Sequence, residues 1–175
     1  DLHTILLDAL RAAGGKTHIA SRVAGAGSDG QGAWLELEDG TRHRGDLVVG
    51  ADGVRSAVRG IYEPISAHFT GHIVWRGIVA VEGGLRELAE NPGNFIGPER
   101  LVVWYPLRGG TQLNLVFFAR QTGWSEDGWT IPAERAELKE VFAGWCEPVQ
   151  WMIDLLDESR LFKWAINART PLPGW

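Results

Sequence analysis

The stretch DLVVGADGVRSAVRG, residues 46–60, decides how the first part of the chain is read. Leu47, Val48 and Val49 are apolar on consecutive positions, which suits a strand covered on both faces in a partly parallel sheet. Gly50 and Gly53 let the backbone turn sharply or approach a ligand closely. Asp52 falls where the strand runs out, and in open α/β sheets ligands gather at the carboxyl ends of strands. The segment Val54 to Arg59 then reads as a short helix, with Arg55 and Arg59 one turn apart and Ser56 between them. Two accounts fit these residues equally: a ligand corner with arginines for phosphate, or a helix capped by Asp52 with both arginines in solvent.

Working outward, Leu2, Ile5, Leu6, Ala9 and Leu10 recur at helical spacing and Gly14-Gly15 supplies a stop, so residues 1–13 are expected as an amphipathic helix. The period then changes. Residues 17–24 and 33–38 are strand-like, and Asp39-Gly40 is a hairpin signal leading into residues 41–44. Residues 25–30 read GAGSDG and match the G-x-G-x-x-G of dinucleotide folds, but that pattern works by opening a helix whose first amides receive pyrophosphate. An alternating strand follows here, so the stretch reads as a hairpin loop.

From about Ile65 long strands dominate: 69–81, 94–97, 101–107, 111–119 and 161–168, spaced by Gly-rich turns such as Arg108-Gly109-Gly110. They suggest a mostly antiparallel sheet. Two helices interrupt it, one with Pro132 in its first turn and Leu138, Val141, Phe142 and Trp145 on one face, the next starting at Pro148 with Val149, Met152, Ile153 and Leu156 in register. Both are expected on one side of the sheet. The fold class is therefore α+β, an α/β piece over residues 1–64 followed by an antiparallel sheet domain with two covering helices over residues 65–175.

Composition narrows the function. A net charge of −5 argues against a nucleic-acid partner, the arginines that cluster at 42–59 being diluted by Asp39, Asp46 and Asp52, and no apolar run approaches the roughly 20 residues of a membrane helix. The single cysteine, Cys146, excludes an internal disulfide and reads as a packing residue. His68 and His72 read as surface or edge residues, and no set of ligands supports a metal site. The nine tryptophans are spread over strands, loops and helices and read as bulk for the sheet and helix interface. The alternative they leave is a non-catalytic Trp-rich binding module.

The Asp52 stretch resembles the Asp-Gly motif of the FAD-dependent aromatic hydroxylases, the flavoprotein monooxygenases of the salicylate and 3-hydroxybenzoate hydroxylase type. That motif is an apolar strand, Asp-Gly, two residues, Ser, two residues and Arg, here Asp52, Gly53, Ser56 and Arg59. The likeness continues in order through HIVWRG (72–77), LVVWYPLRGG (101–110), LNLVFF (113–118), FAGWCEPV (142–149) and RTPLPGW (169–175).

The resemblance implies a central piece of such an enzyme, another flavoprotein oxidoreductase on the same scaffold being the alternative. The true G-x-G-x-x-G segment before it and a Gly-Asp segment after it lie outside these residues. FAD would be the cofactor, with Asp52, Gly53, Arg55, Ser56 and Arg59 at its site, and NAD(P)H and molecular oxygen the co-substrates. A small aromatic substrate would lie on the sheet. By strand parity Leu101, Val103 and Tyr105 share a face, with Trp104 opposite, and Gln112 and Asn114 share one on the next strand. Arg76, Val103, Tyr105 and Asn114 are the candidate substrate contacts. No catalytic residue is assigned, a cytoplasmic location is expected, and a homodimer is left open.

Overall fold

A computed structural model describes residues 2–124, 126 and 128–172. The chain divides into two compact units: the residues up to Ser66 together with the segment from Thr170, and Ala67–Arg169.

In the first unit the amphipathic pattern forms α1 (Leu2–Ala12), whose apolar Leu2, Ile5, Leu6 and Leu10 are exposed. Strands β1 (Val23–Asp29), β2 (Gly32–Leu37) and β3 (Arg42–Gly45) make an antiparallel meander. Trp34 lies across it under the guanidinium groups of Arg42 and Arg44, whose charges also pair with Glu36 and Asp29. The Asp39-Gly40 turn forms as expected: Gly40 takes a φ of 82° and the Thr41 amide donates to Asp39 Oδ1.

Three expectations are corrected here. The first strand begins at Val23 instead of residue 17, so GAGSDG is mostly strand, and only Gly30 lies beyond its end. Small residues are needed there because a Cβ on Gly27 would fall 2.4 Å from the Trp34 ring. Leu47–Val49 forms no strand, and Leu47 and Val49 are 77% and 78% exposed. A strand of that composition needs neighbours and two covering faces, and no described strand pairs with it. Finally, the helix after Gly53 is only α2 (Ala57–Gly60), because Val54 and Arg55 are spent in the turn that precedes it.

The second unit is a six-stranded sheet in the order β5-β6-β7-β4-β9-β8. Its strands are β4 (His68–Ala80), β5 (Gly93–Gly97), β6 (Arg100–Leu107), β7 (Gln112–Arg120), β8 (Ile131–Pro132) and β9 (Phe162–Ala168). Every pairing is antiparallel. Helices α3 (Leu85–Glu90), α4 (Arg135–Val141) and α5 (Glu147–Asp154) complete the unit.

Period-two alternation splits the sheet cleanly. Ile73, Trp75, Val102, Leu113, Leu115 and Phe117 are fully buried and pack in one core with Leu138 and Phe142 of the α4 region and Val149, Met152 and Ile153 of α5. Gly77 belongs to this face, and a Cβ there would meet Leu156 Cδ2 at 2.4 Å, so the missing side chain lets the end of α5 close on the sheet. The two helices thus cover one side of the sheet.

Pro132 is not in a helix; it sits in β8 opposite Phe162, at the sheet edge where a missing N–H costs no ladder bond. Helix α4 starts three residues later, where the Arg135 amide donates to Glu158 Oε1 at 2.9 Å, an acid placed at the positive end of the helix. Pro148 stands in the first turn of α5 as expected, but Cys146 is exposed at the cap of that helix instead of packed.

Phe142 is fully buried, with ring contacts to Phe117 and Trp145 at 5.5 and 5.1 Å. Phe142→Ala should cost about 3–5 kcal/mol in urea unfolding. Ile96, 80% exposed on the other face, should tolerate Ala within about 0.5 kcal/mol.

Candidate functional site

Two polar constellations stand out, one in each unit. In the first, Gly53 takes a φ of 77°, a left-handed turn that an L side chain resists, and this drops the chain from Asp52 into α2. The Asp52 carboxylate folds over the helix start. Its Oδ1 accepts from Ser56 Oγ, and its Oδ2 accepts from the amides of Ala57 at 2.7 Å and Val58 at 3.3 Å. Ser56 Oγ in turn accepts from the Arg59 amide at 2.9 Å. Asp and Ser thus share the capping of one short helix.

Burial works to raise the Asp52 pKa, but the hydrogen bonds from Ser56 and from the Val58 and Ala57 amides outweigh it and hold the carboxyl below its ordinary 3.8. The Asp52 amide acts on the carboxyl in the same direction, so hydrogen bonds from its own corner account for its depressed pKa.

Arg59 is neither in solvent nor free for a phosphate. Its Nε and Nη2 donate to Glu63 Oε2 at 3.1 and 2.5 Å, and Nη2 also donates to the carbonyl of Thr170. The pair is largely buried, with side-chain exposures of 22% and 12%. Arg59 therefore ties the returning segment at Thr170 to the corner. Arg55 precedes the helix, so the i, i+4 relation expected between the two arginines is not made on one helix. Around this corner lies a cavity of about 700 Å³, with Leu47, Gly50, Asp52, Ser56, Tyr62 and Leu172 in its lining.

In the second unit, the sheet face away from the helices carries Arg76, Val103, Tyr105 and Asn114 together. Register puts Tyr105 opposite Asn114 and Arg76 opposite Val116, whose other neighbour is Val103. The parity expected from sequence is the parity observed. Asn114 is the one buried polar residue among those described, at 0% exposure. Its Oδ1 accepts from Arg76 Nε at 2.9 Å, while its Nδ2 has no hydrogen-bond partner. Because Arg only donates, the amide oxygen must face it, so the orphaned donor cannot be relieved by flipping the amide. Tyr105 is 42% exposed beside it.

His68 and His72 are exposed, and no group of three or more metal-binding side chains occurs among the described residues. Trp75 and Trp104 are buried in the core, with Trp124 and Trp145 packed against it, while Trp129 and Trp151 are exposed. The GAGSDG dinucleotide reading is excluded, since β2 and not a helix follows Gly30. Glu63 and Thr170 escaped the sequence reading. Glu63 had a signal, its i, i+4 spacing from Arg59; Thr170 had none, lying 111 residues away.

Ser56→Ala should raise the Asp52 pKa toward 3.8, read by carboxyl-carbon NMR titration. Because the folded pKa is depressed, the stabilisation is present above the unfolded value of about 3.9 and is lost as pH falls through the folded pKa. Loss of α2 signals is therefore expected on the acid side of pH ~4 and not near neutrality. An Asp52 pKa unmoved by the substitution would contradict the hydroxyl's role.

No family model matches the chain. It is 32% identical to 3-hydroxybenzoate 6-hydroxylase 2 of Aquipseudomonas alcaligenes, an alignment that covers 100% of this chain and 54% of that protein. Against 3-hydroxybenzoate 6-hydroxylase of Polaromonas naphthalenivorans strain CJ2, the identity is 31%, over 100% of this chain and 44% of the relative. The chain thus spans about half the length of the curated relatives it matches. Among solved structures, Klebsiella pneumoniae HpxO complexed with FAD and uric acid superposes with a TM-score of 0.75 at 26% identity, covering 95% of this chain and 42% of that one. A salicylate hydroxylase substrate complex superposes at 0.81 with 24% identity, over 97% and 46% of the two chains, and speaks for the fold alone. A short helix capped through Asp-Gly, an antiparallel sheet with helices on one face, and identity above 30% along the whole of this chain converge on one likeness: the chain is similar throughout to the middle portion of FAD-dependent aromatic hydroxylases.

Proposed function

We propose that this chain is part of a monooxygenase that uses FAD, NAD(P)H and molecular oxygen to hydroxylate a small aromatic of the hydroxybenzoate type, in the cytoplasm and without a nucleic-acid partner. The observation that carries this reading is the buried, unpartnered Nδ2 of Asn114 on the sheet face away from the helices. A buried donor left unmade costs about 1–3 kcal/mol. Such a group is retained where a ligand completes it.

In this reading FAD, when bound, supplies the redox chemistry, accepting reducing equivalents from NAD(P)H and activating oxygen. The residues present fit one wall of its site. Asp52 lines the cavity as an ionised carboxylate suited to a ribose or ribityl hydroxyl, Gly53 leaves open space where a Cβ would stand, and the cavity is large enough for part of a nucleotide. Ser56 and Arg59 act on the cofactor indirectly, by holding Asp52 and the Thr170 segment in place. Arg55 lies in the turn before α2, on the same side of that helix in sequence as Asp52.

On the sheet, Asn114 Nδ2 donates to a substrate oxygen, and Arg76 holds the amide in the orientation that makes this donation available. Tyr105 offers a hydroxyl that orients the phenol, and Val103 gives the ring an apolar contact. The apolar side chains of the same face, Val74 and Val116 among them, keep water from the ring.

Two outcomes are expected. The 175-residue chain, carrying one wall of the site, should bind added FAD weakly or not at all in a fluorescence titration; stoichiometric flavin copurifying with it would overturn that expectation. In the full-length enzyme, Asn114→Leu should lower kcat/KM for the aromatic substrate by roughly 10–100-fold through loss of the hydrogen bond. Flavin content, read from visible absorbance, should be unchanged. Equal activity of the variant would sink the substrate-face assignment.

A further inference from the structure

Glu63 is an acid set back from water. Its side chain is 12% exposed and that of Arg59, its partner one turn earlier, 22%, whereas the Arg22–Glu38 pair of the same unit stands at 3.6 Å with both side chains in solvent. An exposed pair contributes little, but a sheltered one is screened less, and removing one partner strands the charge of the other. Pro64 fixes the place of Glu63 in the chain, because the residue before a proline is pushed out of the helical region and the turn after α2 must end there.

Arg59 is held along its whole length. Its amide donates to Ser56 Oγ, and its carbonyl accepts from the amides of Tyr62 and Glu63, both at 3.0 Å. Its Nε and Nη2 donate to Glu63 Oε2 at 3.1 and 2.5 Å. Nη2 carries two hydrogens; one goes to Glu63 and the other to the carbonyl of Thr170. The carboxylate therefore aims the guanidinium, and the guanidinium holds a backbone atom 111 residues further on. From that atom the chain has little freedom. Pro171 has its φ locked and restricts Thr170 as well, so the anchored carbonyl sets where Leu172 stands. Leu172 and Arg59 are both in the lining of the cavity beside Asp52.

We infer that Glu63 is a positioning residue for this cavity: its carboxylate orients Arg59 so that the segment from Thr170 to Leu172 forms one wall. The role rests on the reading of the cavity as part of the FAD site, and it makes cofactor affinity depend on a charge that acts through Arg59. Ser56, bonded to both Asp52 and the Arg59 amide, joins this wall to the Asp52 corner in one frame.

Two substitutions separate charge from shape. Glu63→Gln keeps the outline of the side chain and loses the charge; Glu63→Asp keeps the charge on a shorter stem. In the 175-residue chain without cofactor, the carbonyl-carbon NMR shift of Thr170 reads the hydrogen bond at that oxygen. It should move in Glu63→Gln and stay near wild type in Glu63→Asp, with Glu38→Gln as the control that leaves it in place. Arg59→Lys, which keeps the charge but not the fork, should move it as Glu63→Gln does. In the full-length apoenzyme, flavin fluorescence titration should show FAD binding weakened by about tenfold in Glu63→Gln and by less than about threefold in Glu63→Asp. Leu172→Ala should weaken FAD on its own and add little to Glu63→Gln, because both changes remove the same wall. Circular dichroism checks that each variant folds.

A Thr170 shift unmoved by both Glu63→Gln and Arg59→Lys overturns the inference. So does a Glu63→Asp variant that binds FAD more weakly than Glu63→Gln, the ranking that packing alone would give, and so does full additivity of Glu63→Gln with Leu172→Ala. Wild-type FAD affinity in Glu63→Gln would remove the role and leave the proposed function standing; a wild-type full-length protein that binds no FAD would remove both.

Discussion

The second unit depends on one strand paired along both edges. Strand β4 is bonded to β7 over its upper half and to β9 over its lower half, so its backbone cannot shift without breaking both ladders. That constraint makes its alternation meaningful. Trp75 points to the helices and is sealed in the core; Arg76, the next residue, points to the opposite face and holds Asn114. A slip of one residue in register would bury a guanidinium among Phe142 and Met152 and expose the indole, an exchange costing far more than the unit's margin of stability. Packing energy on one face thereby fixes polar geometry on the other.

This explains what could be read in the chain and what could not. The long strands from His68 onward were legible because period-two alternation over seven or more residues has few competing explanations, and parity then grouped Val103 with Tyr105 correctly. Leu47–Val49 misled because its apolar run states a demand for two covering faces, and a demand is not its fulfilment; Leu47 and Val49 remain exposed. Pro132 misled for a different reason. Proline is as welcome at a sheet edge as in a first helical turn, and only the pairing with Phe162, thirty residues on, decides between them.

The Asp52 corner shows the limit in another form. Local spacing offered Asp52 as the cap of a helix start, which it is, whereas Ser56, expected inside that helix, stands at its N-cap instead. The fate of Arg59 was not local, because half of what it binds arrives from Thr170.

The pairing of His68 with Ala168 has a consequence for the architecture as a whole. These residues begin and end the sheet unit, and as register partners their Cα atoms stand about 5 Å apart. Everything between them is therefore a cassette whose two ends lie side by side. A module with adjacent ends can be lengthened, trimmed or exchanged without moving its points of attachment. With its ends adjacent, the sheet can be altered while the Asp52 corner, written on either side of the insertion, keeps its own hydrogen bonds.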